Sequence, residues 1–191
     1  MKLLVDRLSE TPSSHAYAVT PAWWAEVSGQ PVGGREGIGD GLAIELEAHR
    51  IGDGIYLEGE VRGTLELECS RCLARYRPPI RERFRLVLEP AGDRVPADPE
   101  GATALARDGL YLSDELETGW FRGSEIELGA FFREVIALLF PVQPLCREDC
   151  RGLCPHCGVD RNVETCSCPE TRRPSPFEVL RGLRTGGGDE R

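Results

Sequence analysis

No apolar run in this chain approaches the ~20 residues that a helix needs to cross a bilayer. The longest, Val135 to Phe140, reads as part of a buried helix. An apolar secretion signal is missing too, since Met1 to Leu8 mixes Lys2, Asp6 and Arg7. From both absences the chain is expected to be cytoplasmic, away from membranes. Lysine is almost absent: of 23 basic residues only Lys2 is not arginine, a global bias that reflects composition more than function. Histidine is scarce. His15, His49 and His156 lie far apart, and no carboxylate cluster accompanies them to assemble a metal-bound water, so no catalytic residues and no small-molecule substrate are expected. An excess of positive charge is lacking as well. A net charge of −9 excludes coating of nucleic acid by bulk electrostatics.

What is present is an ordinary globular composition, 40% hydrophobic and 29% charged, on 191 residues: enough for one compact domain and a small satellite. Charge is unevenly distributed. Residues 1–69 carry −7 and residues 89–142 carry −7, whereas residues 70–88 carry +5 from Arg71, Arg75, Arg77, Arg81, Arg83 and Arg85 against Glu82. Eight cysteines fall into close pairs: Cys69/Cys72, Cys146/Cys150, Cys154/Cys157 and Cys166/Cys168.

The hydrophobic pattern predicts an α+β fold. Leu3 to Leu8 reads as a short strand, Pro21 to Trp24 as a helical start, and residues 29–41, with six glycines, as a loop. Leu42, Ile44, Leu46 and Ala48 alternate with polar residues; Gly52-Asp53-Gly54 is a turn; Ile55, Leu57, Val61, Leu65, Leu67 and Cys69 share one parity. Phe84, Leu86 and Leu88 occupy one face of a further strand, with Arg81, Arg83 and Arg85 on the other. The sum is an antiparallel β-meander or partial barrel with a Cys knuckle at 69–72 on one hairpin tip. Residues 89–108, with three prolines, read as a long loop or linker, and residues 116–123 as a returning strand. One packed helix near 128–140 follows from Leu128, Phe131, Phe132, Val135 and Leu138/Leu139, with Ser124 to Glu127 as its capping box. Two domains result: a β-rich domain over 1–142, and a Cys-rich zinc-binding tail over 143–191 with a short helix at 176–184.

Two sulfurs from one tight turn reach one metal, and a reducing compartment favours thiolate ligands over disulfides. Eight thiolates, Cys69, Cys72, Cys146, Cys150, Cys154, Cys157, Cys166 and Cys168, fill two tetrahedral shells, which predicts two structural zinc ions per chain. The partition preferred groups Cys154, Cys157, Cys166 and Cys168 as a zinc-ribbon-like site and leaves Cys69, Cys72, Cys146 and Cys150 for a second. Its rival groups Cys146, Cys150, Cys154 and Cys157, and joins Cys69/Cys72 to Cys166/Cys168. His156 reads as a solvent-facing knuckle residue. A redox dithiol at Cys69/Cys72 would sit at a helix N-terminus; this pair sits at a hairpin tip.

Leu67-Glu68-Cys69-Ser70-Arg71-Cys72-Leu73 is similar to the first signature of the YceD family, and Pro144-Leu145-Cys146 through Cys150 with Gly152-Leu153-Cys154-Pro155-His156-Cys157-Gly158 resembles the second. The helix ending in Pro141-Val142-Gln143-Pro144, and Pro176-Phe177 with Leu180, fit as well, whereas Arg161-Asn162 departs from a usual Leu-Asn. The resemblance spans nearly the whole chain. It implies a bacterial, cytoplasmic, non-catalytic factor for accumulation of 23S ribosomal RNA and assembly of the large ribosomal subunit.

The resemblance makes 23S RNA or its precursor an expected partner. Arg71, Arg75, Arg77, Arg81, Arg83 and Arg85 are the candidate contacts, since guanidinium groups pair with phosphates and stack on bases. The competing reading has these arginines neutralising Glu58, Glu60 and Glu66 on neighbouring strands. The acidic segment 89–117 suits a basic large-subunit ribosomal protein, or is simply solvated. A zinc-ribbon adaptor between proteins outside ribosome assembly is the alternative function.

Overall fold

In chain order the elements are β1 (Lys2–Leu4), a 3-10 turn (Val5–Arg7), β2 (Ser13–Val19), α1 (Pro21–Ser28), β3 (Glu36–Ile51), β4 (Gly54–Glu68), β5 (Arg75–Tyr76), β6 (Pro79–Pro90), α2 (Pro99–Asp108), β7 (Leu110–Leu112), β8 (Thr118–Phe121), β9 (Glu125–Glu127) and α3 (Gly129–Ala137). This computed structural model describes residues 1–29, 36–113 and 117–169. The helix expected at 176–184 lies outside the described residues. The chain divides into two compact units, Met1–Cys150 and Arg151–Arg191. The first therefore includes Cys146 and Cys150.

Alternation does produce the meander. β3 and β4 pair antiparallel from Ile51↔Gly54 around the Gly52-Asp53 turn, and β4 pairs antiparallel with β6 from Ile55↔Leu88 to Thr64↔Pro79. The inward set, Leu42, Ile44, Leu46, Ala48, Ile55, Leu57, Val61, Leu65 and Leu67, is buried. On the same face lie the aromatic rings of α3: Phe84 meets Phe131 at 5.4 Å and Phe132 at 5.9 Å, and Tyr17 meets Phe132 at 5.5 Å. Trp24 of α1 stacks on Phe140 at 5.5 Å. Gly59 lets these layers approach, because a Cβ there would lie 2.7 Å from Leu46 Cβ and 2.8 Å from the Phe84 ring.

Several elements differ from the sequence expectation. The sheet runs β2-β3-β4-β6-β8-β7 and is open among the described residues, so the barrel form of the expectation gives way to an open sheet. β8 joins β6 in parallel, because α2 and β7 intervene and carry the chain back to the starting end. α2 occupies the segment read as a loop: the Asp98 side chain accepts from the Gly101 N–H, Pro99 stands at the first turn, and Gly109 ends the helix at φ 67°. The prolines there mark a helix start, not a break. β3 begins at Glu36, so Gly37, Gly39 and Gly41 lie in a strand whose register shifts between Ile38 and Leu42. Gly41, at φ 111°, supplies the backbone that irregularity needs. The capping box also fails. Glu125–Glu127 is strand β9, paired with β1, and α3 starts from Leu128 without a side-chain cap bond, although Glu127 Oε1 accepts from the Gly129 N–H at 3.1 Å. Leu138, expected in the core, is 72% exposed. Among the described residues no helix is long and apolar enough to cross a membrane.

Candidate metal centres

β4 runs directly into Cys69, and the chain then reverses tightly. The Cys69 N–H donates to the Ala74 carbonyl at 2.9 Å and the Leu73 N–H donates back to the Cys69 carbonyl at 2.9 Å. The Ser70 N–H and hydroxyl both donate to the Pro144 carbonyl, at 2.9 and 3.0 Å, and Arg71 Nη1 donates to the Cys150 carbonyl at 2.9 Å. These bonds bring the segment after α3 against the knuckle and set Cys146 and Cys150 beside Cys69 and Cys72. Sulfur separations are 3.8 Å for Cys69–Cys150 and 3.7 Å for Cys72–Cys146. All four sulfurs lie within 4.8 Å of one another.

The second unit repeats the device. The Cys154 N–H donates to the Val159 carbonyl at 2.8 Å, and the Gly158 N–H donates to the Cys154 carbonyl at 2.9 Å. The fifth residue of each knuckle is left-handed, Leu73 at φ 60° and Gly158 at φ 75°. Asn162 braces the turn: its side-chain oxygen accepts from the Arg151 N–H at 2.8 Å and its amide donates to Asp160 at 2.7 Å. The sulfurs of Cys154, Cys157, Cys166 and Cys168 again lie within 4.8 Å of one another. The structure thus forms the preferred grouping and not its rival. His156 is exposed and belongs to neither set.

The donors fit a tetrahedral metal. Bonds of ~2.3 Å to four thiolates imply sulfur–sulfur edges of ~3.8 Å, whereas a disulfide needs ~2.05 Å. All eight cysteines are free thiols. Four sulfurs close a shell and leave no position for water, so such a centre holds structure and activates nothing.

Thiol acidity is split within each set. Burial opposes a thiolate at Cys69, yet N–H groups of Cys146, Cys72 and Arg71 aimed at its sulfur bring it from the ordinary 9.0 to about 6. N–H groups of Cys157 and His156 bring Cys154 to about 6. Conversely, burial and the sulfurs of Cys72, Cys150 and Cys69 push Cys146 up to about 12. The Cys157 sulfur, then burial and Cys154, do the same to Cys168.

The arginines of residues 70–88 are largely engaged. Arg71 clamps Cys150. Arg77 binds Glu66 at 2.5 Å and lies 3.8 Å from Asp40. Arg81 binds Glu60 at 2.6 Å, Arg83 lies 3.7 Å from it, and Arg62 pairs with it too. Arg85 binds Glu117 at 2.8 Å, and Arg75 is the register partner of Glu68. Glu60 and Glu66 are thus the neutralising partners expected of them, while Glu58 accepts from the Tyr56 hydroxyl instead. The acidic run is dispersed: Glu89 pairs with Arg94, Asp98 caps α2, Asp108 pairs with Arg107, and residues 114–116 lie outside the described residues. Sequence reasoning missed Ser70 and Arg71 as clamps and Asn162 as a brace, because each acts on backbone that only the folded turn presents.

The family described as large ribosomal RNA subunit accumulation protein YceD matches residues 57–184, a span that includes both cysteine sets. An uncharacterized Mycobacterium tuberculosis protein is 31% identical over 118 residues, 62% of this chain and 50% of that protein. A chloroplastic maize protein named large ribosomal RNA subunit accumulation protein YCED homolog 1 is 24% identical over 158 residues, 74% of this chain and 53% of that protein. Its Arabidopsis thaliana namesake is 23% identical over 165 residues, 76% of this chain and 49% of that protein. The chain spans about half the length of the curated relatives it matches. No solved structure matches it.

Backbone strain and thiol acidity at the knuckles are both measurable. A left-handed non-glycine residue costs about 1–2 kcal/mol. Leu73→Gly should therefore stabilise the protein to urea by about 1 kcal/mol, with glycine's own chain entropy subtracting part. Gly158→Leu, where a Cβ meets nothing within 4 Å, should weaken the second knuckle by about as much. Loss of stability in Leu73→Gly would show that the Leu73 side chain, not its backbone, matters. The pH behaviour has a definite sign. Because the Cys69 and Cys154 values are lowered, their thiolates are favoured by folding above the ordinary 9.0, and that stabilisation drains away as pH falls through about 6. Zinc should stay bound at neutral pH and leave, by dye-monitored release, only on acidification, while neutral loading of apoprotein should release protons from the raised thiols. Failure to hold zinc at neutral pH would contradict the assignment.

Proposed function

The chain belongs to the YceD family, and on that premise we propose that it is a non-catalytic, cytoplasmic factor supporting 23S ribosomal RNA accumulation and large ribosomal subunit assembly. The observation that carries this reading is the family match over residues 57–184, together with the names of the plant relatives. Two zinc ions, one in each four-cysteine set, would serve as struts for the two knuckles. The all-sulfur donor sets suit that role, and zinc is the redox-inert choice for them.

The factor would act on precursor RNA, on a ribosomal protein, or on both, and the charge geometry weighs toward protein. Arg71 and Arg77 are occupied internally, which thins the six-arginine RNA surface. On the outer face of the sheet Glu47 stands directly opposite Glu58, whereas Glu45 and Glu60, also opposite each other, are bridged by Arg62. Like charges facing across strands are destabilising, and a basic partner would relieve them. These carboxylates border an open groove of about 900 Å³.

The test is depletion of the protein in its host, with the 23S to 16S RNA ratio and subunit profiles on sucrose gradients. A selective fall in 23S RNA and large subunits is expected. Rescue should survive Arg81→Ala with Arg83→Ala and fail with Glu47→Lys and Glu58→Lys; the opposite pattern would favour direct RNA contact. An unchanged RNA ratio would overturn the reading and leave a zinc-ribbon adaptor outside ribosome assembly.

A further inference from the structure

Strand β6 is paired from Pro79 to Leu88 on one side and only over its last four residues on the other. β4 covers residues 79–88, whereas β8 meets β6 only from Val87 to Pro90. From Pro79 to Leu86 the second edge has no strand partner among the described residues. The direction of its backbone groups follows from the ladder. The Val87 N–H donates to the Glu117 carbonyl at 2.8 Å, on the β8 side, and the β4–β6 register is continuous. Period-two alternation therefore turns the N–H and C=O groups of Arg81, Arg83 and Arg85 to the open edge.

The two faces flanking this edge differ in chemistry. On the inner face Ile80 and Phe84 of β6, with Phe131, Val135, Leu138 and Leu139 from and just beyond α3, form the apolar side of a groove of about 660 Å³ that Arg81, Glu82, Arg83, Arg85 and Glu117 also line, and Leu138 is left 72% exposed at its rim. The outer face carries the Arg81, Arg83 and Arg85 side chains. Arg85 is bound there by Glu117, but Arg81 and Arg83 share the single carboxylate of Glu60 with Arg62, which also reaches Glu45, so the excess of positive charge is confined to Arg81 and Arg83.

We propose that the 79–86 edge of β6 is a docking site for an extended protein segment that adds as a strand, with apolar side chains entering the groove and acidic side chains alternating onto Arg81 and Arg83. Alternation along an added strand sends every second side chain to each face, which is the chemistry this edge presents. Glu82, exposed on the groove face between Ile80 and Phe84, excludes an acidic residue at that position. A phosphate backbone would use the arginines but neither the row of amides nor the apolar groove, so peptide is favoured over RNA. The site does not depend on the ribosomal reading.

The test uses the full, zinc-loaded chain and a labelled peptide of about eight residues alternating Val and Glu, followed by fluorescence anisotropy. Saturable binding is expected, at least about tenfold tighter than for the Val/Lys counterpart. Arg83→Pro removes the edge-facing N–H together with the guanidinium, at a position where an edge strand tolerates proline, and should weaken binding about tenfold. Arg83→Ala, which keeps the amide, should weaken it only about threefold. Leu138→Glu should act like the proline. If Arg83→Pro unfolds the protein, a Val/Glu peptide N-methylated at alternate residues carries the same test and should bind about tenfold more weakly. No saturable binding, or equal losses in Arg83→Pro and Arg83→Ala, would overturn the proposal. So would a single-stranded RNA 10-mer that binds and displaces the peptide with equal losses in both variants, which would make the arginines phosphate contacts.

Discussion

Four sulfurs converge where the first unit's last segment meets the Cys69–Cys72 knuckle. Residues 141–150 bury little besides Pro144 and Cys150, too small an apolar surface to fix ten residues by themselves. What fixes them is the meeting of Cys146 and Cys150 with a knuckle whose Cys72 lies 74 residues earlier. The backbone bonds from Ser70 and Arg71 aim the segment, and convergence of the thiols makes a place for a cation that would lock it. The second unit is more extreme. Its described part has only Gly152 and Cys154 buried, so a metal on the sulfur set would stand in for a core.

The two knuckles share one backbone solution with different residues. Each closes with a reciprocal pair of N–H to C=O bonds around the first cysteine and a left-handed fifth residue. The N–H groups that line the turn also favour the thiolate of that first cysteine, so the bend that positions the sulfur prepares it as a ligand. Glycine fills the left-handed place in one knuckle at no steric cost, and leucine fills it in the other. A half-exposed Leu73 in that conformation is tolerated because strand β4 on one side and the Ser70–Pro144 bonds on the other hold the turn.

Strands β3, β4 and β6 were legible because period-two burial is written directly in residues such as Leu42, Ile44 and Leu46, and the preferred cysteine grouping was legible from spacing. What stayed hidden was set by tertiary context. α2 was obscured by prolines whose role depends on Asp98 and Gly109 bracketing ten residues. The bulge at Gly41 was read as loop because glycine marks both. Ser124 to Glu127 matched a helix cap locally, yet β1 recruits the segment as a strand through Lys2↔Glu127 and Leu3↔Ile126. The open edge of β6 is a property of topology, visible only when β8 is seen to stop at Val87.

Two independent, closed thiolate shells are the central claim, and metal content of the purified chain alongside Cys72→Ser tests it most directly. The prediction is about two zinc ions per native chain and about one in Cys72→Ser, with the second unit's ion retained. One ion in the native protein, or loss of both in the variant, would contradict the assignment of separate centres.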